Sequence, residues 1–223
     1  MTGIIFDFNS TLFDDSDKHE KAWHIFSTRV FHRNITEEEF KQIVHGRNND
    51  FILQYLSGES LSKEQINSYV EEKERIYREL CEEDKVGTCL TLDVKLLLEE
   101  LKDRKIPMTI ATASPKVNLD YYIEKFQLET WFDIDKIIFN DGTIPGKPDP
   151  EFYLRAAKAI GVAPLQCIVF EDAVSGIQSA YNAGIGKIIA VAPKDQEELF
   201  EGLPGVYDVI PNFDKFDRFL LRE

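Results

Sequence analysis

Asp7 closes a short apolar run, Ile4-Ile5-Phe6-Asp7-Phe8, and is followed by Asn9-Ser10-Thr11. A carboxylate at the carboxyl end of a buried strand projects into the crevice above the sheet, where it can attack an electrophile or hold a cation. The same residue types also suit an ordinary turn. Glu171-Asp172 follow a second apolar run, Cys167-Ile168-Val169-Phe170, and precede a helical stretch. Adjacent carboxylates there repel each other unless a cation joins them, and with Asp7 they make an oxygen-rich cluster of the kind Mg²⁺ prefers. One such acid would equally suit a helix N-terminus, where it complements the dipole. Thr112-Ala113-Ser114-Pro115 ends a third run and opens a helix. A hydroxyl and unpaired N–H groups there bind an anion, or serve as a plain helix cap. Lys147 is the one basic residue of Gly142–Pro150; a loop lysine is usually a simple solvated charge, but Pro145, Gly146 and Pro148 around it restrict the backbone and could aim its ammonium inward.

These residues need a scaffold that brings strand ends together. Six runs rich in Ile, Val and Phe read as strands: Gly3–Phe8, Ile106–Thr112, Lys136–Asn140, Cys167–Phe170, Lys187–Ala192 and Val206–Ile210. Near-continuous apolar runs suit strands covered on both faces, as in a parallel sheet. Helical segments alternate with them. Val94, Leu97, Leu98 and Leu101 form one apolar stripe. Ser114-Pro115 and Asp149-Pro150 are expected N-cap and first-turn pairs, and Gly184 an expected C-cap. The alternation predicts an α/β fold with a doubly wound parallel sheet.

Residues 15–86 break the alternation. Ala22, Phe26 and Val30 keep a helical period, as do Ile66, Tyr69, Val70, Ile76, Tyr77 and Leu80. A four-helix insertion is expected here, with hinges at Phe13–Ser16 and Asp84–Thr88. An insertion at the carboxyl end of the first strand is placed to act as a lid. The expected division is therefore a core of residues 1–14 and 87–223 and a helical cap of 15–86.

The 26 basic and 40 acidic residues give a net charge of −14, which opposes nucleic acid and anionic membranes as partners. A small anionic substrate remains compatible with a locally positive site. Met1–Asp7 lacks the basic start of a signal peptide, no apolar run approaches bilayer length, and three scattered cysteines, Cys81, Cys89 and Cys167, make a disulfide framework unexpected. A cytoplasmic location is expected.

The chain order of these segments resembles the haloacid dehalogenase superfamily. Its motifs correspond to Asp7-Phe8-Asn9-Ser10-Thr11-Leu12, Thr112 in Ile110-Ala111-Thr112-Ala113-Ser114, Lys147 in Gly146-Lys147-Pro148-Asp149-Pro150, and Glu171-Asp172 in Phe170–Ile177. With a helical cap after the first motif, and with His19 and Trp23 entering it, the pattern is most similar to the beta-phosphoglucomutase-like group. The resemblance implies a Rossmann-like core and a Mg²⁺-dependent phosphohydrolase acting on a small phosphorylated metabolite. Asp7 would attack phosphorus and form an aspartyl-phosphate. Asp7, the carbonyl of Asn9, Asp172 and Glu171, direct or through water, would hold Mg²⁺. Ser10, Thr112, the N–H of Ala113 and Lys147 would surround the phosphoryl oxygens. In the cap, His19 and Arg47 are substrate candidates.

The sequence departs from the family at Asn9, where its phosphatases carry a second Asp that protonates the leaving oxygen. Ser10 also replaces the usual Gly. General acid–base help is typically worth ~10²–10⁴-fold. Three readings follow: substrates with good leaving groups such as acyl phosphates, a substitute acid such as His19 or Asp14, or a phosphate-ligand-binding protein with vestigial activity. Superfamily dehalogenases also lack the second Asp but work without Mg²⁺, which retention of Glu171 and Asp172 opposes. Phosphonate hydrolases lack it too, but use a cap lysine as a Schiff base. Lys18, Lys21, Lys41, Lys63 and Lys73 show no activating surroundings in the sequence.

Overall fold

The computed structural model of the protein describes residues 2–44 and 47–222. His45 and Gly46, which precede Arg47, lie outside the described residues. In chain order, β1 (Gly3–Phe6) precedes α1 (Ser16–Phe31), α2 (Glu37–Glu39), α3 (Asn49–Ser57) and α4 (Lys63–Glu83). There follow α5 (Leu92–Asp103), β2 (Met108–Pro115), α6 (Lys116–Phe126), β3 (Ile138–Asn140), α7 (Glu151–Ile160), β4 (Cys167–Glu171), α8 (Val174–Asn182), β5 (Lys187–Val191) and β6 (Val206–Ile210). The chain forms two compact units, residues 1–14 with 90–223, and residues 15–89.

In the first unit six strands make one sheet in the order β3-β2-β1-β4-β5-β6. Every pair is parallel. All four residues of β1 and all five of β4 are buried, which explains runs with no polar alternation. Phe6 and Phe170 stack across the β1–β4 pair at 5.1 Å, and burial of each such ring contributes ~1.5–3 kcal/mol. The α5 stripe of Val94, Leu97, Leu98 and Leu101 is buried as its spacing predicts. The chain builds outward from β1 to β2 and β3, then returns to β4 on the other side. The order reverses at β1, so the carboxyl ends of β1 and β4 flank the crevice where open α/β sheets bind ligands.

The second unit holds the four helices α1 to α4, of which α2 is a single turn running into a π-helical stretch, Phe40–Val44. Capping boxes at Thr36/Glu39 and Ser62/Gln65 satisfy the N-terminal amides of α2 and α4. Ala22, Trp23 and Phe26 of α1 and Ile66, Ile76 and Tyr77 of α4 are buried. Contrary to the simple apolar stripe expected on α4, Lys73 and Glu74 are also buried, whereas Tyr69, Val70 and Leu80 are only half-buried.

Candidate active site

Asp7 leaves β1 with its N–H donating to the carbonyl of Phe170 at 2.9 Å, so the β1–β4 pairing delivers it beside Glu171. Lys147 reaches between them from the loop before α7. Its Nζ donates to Asp7 Oδ1 at 2.7 Å and to Glu171 Oε1 at 2.5 Å. The three side chains lie at 8%, 10% and 1% exposure, so this ion-pair triad is largely shielded from water. Burial pulls the Lys147 ammonium toward neutrality, but the charges of Asp7 and Glu171 outweigh it and hold its pKa well above the usual lysine value.

Tyr153 of α7 completes this group. Its hydroxyl donates to Glu171 Oε1 at 3.1 Å and accepts from Lys147 at 3.2 Å. Burial, then the Glu171 charge, pushes its pKa well above the normal phenol value. Glu171 Oε2 accepts the N–H of Ala173 at 2.7 Å. Both Glu171 oxygens are thus engaged within the protein. Gly176, in the first turn of α8, lies so close that a Cβ there would overlap the Glu171 carboxylate. The glycine is required by that close approach.

Asp172 follows Glu171 and accepts from Thr11 Oγ1 at 3.0 Å. Burial, then the charges of Glu171 and Asp7, raise its pKa well above the usual aspartate value, and Thr11 and Lys147 only partly oppose this. Crowded carboxylates of this kind fit a divalent cation, whose charge relieves their repulsion, and an all-oxygen donor set fits a hard ion such as Mg²⁺. Among the described residues no group of three His, Cys, Asp or Glu side chains makes a metal site by itself.

Asn9 does not stand alone at the crevice. Its Nδ2 donates to the Tyr122 hydroxyl at 2.9 Å, and its Oδ1 accepts from Ser114 Oγ at 2.7 Å and Thr112 Oγ1 at 3.4 Å. Thr112 Oγ1 in turn accepts the N–H of Ser114 at 3.1 Å. This corrects the expected N-cap at Ser114. β2 continues to Pro115, which precedes the first residue of α6, and the Ser114 hydroxyl serves Asn9 instead. At α7 the carboxylate of Asp149 accepts the N–H of Glu151 at 3.0 Å, with Pro150 just outside the helix rather than in its first turn. Gly184 takes φ +73°, one residue beyond the α8 cap. Ser10 adopts φ +59°, the left-handed conformation that glycine enters without strain. Ala113 is exposed, between the buried Thr112 and Ser114.

Of the remaining candidates, His19 and Arg47 lie in the second unit and Asp14 at the edge of the first. His19 stacks on Tyr77 at 3.9 Å, approaches Lys73 Nζ at 2.8 Å through Nδ1, and faces Asp15 at 3.4 Å through Nε2. Tyr77 donates to the same Asp15 oxygen at 2.5 Å. Lys73 also pairs with Glu74 at 3.0 Å and lies 5.1 Å from the centre of the Trp23 ring. These surroundings of Lys73 were not legible in the sequence. Arg47 lies elsewhere in the unit, its guanidinium 5.2 Å above the Phe51 ring beside the α3 cap Asn48. Asp14 is exposed. The structure therefore brings Asp7, Lys147, Glu171 and Asp172 into one cluster, and Asn9, Thr112 and Ser114 into a second in the same unit. Tyr122, Tyr153 and Thr11 were missed. Tyr122 and Tyr153 lie on buried helical stripes, with Leu119 and Phe126 and with Phe152, Ala156 and Ala157. A buried tyrosine needs a partner for its hydroxyl, which was the available signal.

Comparison with known proteins bears on the arrangement as a whole. The haloacid dehalogenase-like hydrolase family matches residues 1–184. The chain is 31% identical over 194 residues to the phosphorylated carbohydrates phosphatase of Thermotoga maritima, covering 86% of this chain and 85% of that protein. It is 29% identical over 201 residues to hexitol phosphatase A of Escherichia coli, covering 89% and 87%. Among solved structures, a family IA, variant 3 hydrolase from Entamoeba histolytica superposes with a TM-score of 0.91 at 37% identity, covering all of both chains. A β-phosphoglucomutase from Clostridium difficile shares the fold, with a TM-score of 0.77 at 23% identity over 100% of this chain and 96% of that one. The chain belongs to the haloacid dehalogenase-like hydrolases.

Proposed function

We propose that the protein is a Mg²⁺-dependent phosphohydrolase of a small phosphorylated metabolite, working through an aspartyl-phosphate on Asp7. The observation that carries this reading is the Asp7–Lys147–Glu171 triad at the strand-order reversal, with Asp172 beside it. Asp7, Asp172 and the carbonyl of Asn9 would hold the ion, and Glu171, with both oxygens engaged, would position Lys147. When bound, Mg²⁺ would neutralise phosphate charge so that an anionic nucleophile can approach. Lys147 stays protonated near neutral pH and supplies fixed positive charge for the phosphoryl oxygens. Its hydrogen bond to Asp7 orients that carboxylate. Thr112, Ser10 and the N–H of Ala113 would add donors. Relatives named as phosphatases of phosphorylated carbohydrates and of hexitols support a small phosphorylated metabolite as substrate. Three unpaired cysteines suit a reducing cytoplasm. No helix among the described residues is long and apolar enough to cross a membrane.

The test is phosphate release from a panel of phosphate esters and acyl phosphates, with Mg²⁺ and with excess chelator. Turnover of about 1 s⁻¹ or more on any of them, lost in chelator, supports the reading. Phosphate binding with no turnover would favour a ligand-binding role. Activity that persists in chelator would overturn the metal-dependent mechanism.

A further inference from the structure

Asn9, Ser114 and Tyr122 close a ring. Asn9 Nδ2 donates to Tyr122 Oη, Ser114 Oγ donates to Asn9 Oδ1, and the two hydroxyl oxygens are 3.5 Å apart. A hydroxyl has one proton. That of Ser114 goes to Asn9, so in the contact between the hydroxyls Tyr122 is the donor. Each member then donates once and accepts once around the ring, an arrangement whose bonds reinforce one another. Tyr122 is fully buried and stacked on Phe8 at 4.2 Å, and Ser114 is 9% exposed, so the ring is held by its surroundings. A carboxylate at position 9 accepts only. It would draw the Tyr122 proton away from Ser114 and break the cycle. As bonded here, the two hydroxyls engage both ends of the amide, its nitrogen as donor and its oxygen as acceptor.

We propose that Ser114 and Tyr122 are positioning residues that fix Asn9 as a proton-neutral carboxamide, and that the site takes phosphoryl groups whose leaving atom departs unprotonated: acyl phosphates and related mixed anhydrides, in preference to alkyl phosphates. This rests on the phosphohydrolase reading above. In the first step an Asp7 oxygen bonds to phosphorus, and the bond from phosphorus to the acyl oxygen breaks. The acyl group leaves as a carboxylate with the electron pair, and no proton is consumed. In the second step water bonds to phosphorus and Asp7 leaves as a carboxylate. One water proton stays on the phosphate and the other passes to solvent.

The experiment uses the full chain at saturating Mg²⁺ and compares acetyl phosphate, p-nitrophenyl phosphate and glycerol phosphate, each corrected for spontaneous hydrolysis. The expected kcat/KM falls steeply in that order, by at least ~10²-fold from first to last, because no acid flattens the dependence on the leaving group. Glycerol phosphate within about tenfold of acetyl phosphate would overturn this inference and leave the phosphohydrolase reading standing. Absence of turnover on all three overturns both. Tyr122→Phe should lower kcat on acetyl phosphate by about tenfold with KM unchanged, a split that loosened packing does not give. An unchanged kcat contradicts the positioning role. Tyr122→Phe and Ser114→Ala should each lower Tm, and together by less than the sum, because either one opens the ring. Strict additivity contradicts the ring.

Discussion

Asn9 and Asp7 are separated by one residue but have opposite dependence on their surroundings. Asp7 has its charge matched by Lys147 at 2.7 Å, so Asp7→Asn leaves Lys147 paired with Glu171 and the fold intact. Phosphate release should then fall below detection while the thermal transition persists, and full activity in that variant would exclude Asp7 as nucleophile. Asn9→Asp supplies a carboxyl where the family's phosphatases carry one. Hydrolysis of alkyl phosphates should rise relative to acyl phosphates, with a ceiling of ~10²–10⁴-fold. Hydroxyls at Ser114 and Tyr122 would donate to that carboxylate and hold it ionised. The single variant should therefore gain less than Asn9→Asp combined with Tyr122→Phe, measured as the alkyl-to-acyl ratio of kcat/KM. Asp7, Lys147 and Glu171-Asp172 were legible in the sequence because each ends a strand or sits in a constrained loop. The ring was not, because its bonds join residues 113 and 105 positions apart.

At the scale of elements, two short turns set the geometry of the site. The turn after β1 places Ser10 at φ +59°. A left-handed conformation costs a non-glycine residue ~1–2 kcal/mol, and the greater freedom of glycine in the unfolded chain offsets part of that. Ser10→Gly should thus stabilise the protein by about 0.5–1 kcal/mol, read from the denaturant midpoint. At the start of α8 the opposite holds. Alanine is the better helix former by ~1 kcal/mol, yet a Cβ at Gly176 would overlap the Glu171 carboxylate and force it from Lys147, Tyr153 and the Ala173 N–H. Gly176→Ala should destabilise by about 2–4 kcal/mol and lower activity, whereas a stabilised variant would show that Glu171 has room to move. All six strands were legible as apolar runs, most plainly β1 and β4, whose residues are all buried, and less so the partly exposed edge strands β3 and β6. The end of β2 was misread because Ser-Pro is locally a helix start, and only the distant Asn9 redirects the serine.

For the whole molecule, a protein of net charge −14 places three carboxylates and one ammonium at the end of its sheet. Asp172 has a raised pKa in the folded state, so the folded protein binds more protons than the unfolded chain between the ordinary aspartate value and the raised one. In chelator, the contribution of Asp172 to stability is full below that window and is lost as pH rises through it. Mg²⁺ should reverse the loss, because it binds the ionised cluster. The rise in Tm on adding Mg²⁺ should be larger at neutral than at acidic pH, and the stabilisation should reach ~2.7 kcal/mol when the ion is at a hundred times its Kd. Asp172→Ala should remove most of it, and a shift that survives Asp172→Ala would place the ion elsewhere.

In the proposed reaction Asp7 itself carries the phosphoryl group. Rapid acid quench of the full chain turning over acetyl phosphate with Mg²⁺, followed by peptide mass spectrometry, reads this directly. A phosphorylated Asp7 peptide should form before phosphate is released and be absent from Asp7→Asn. Phosphate release by the wild-type protein with the phosphoryl group on another residue, or with Asp7→Asn still turning over at the wild-type rate, would contradict it.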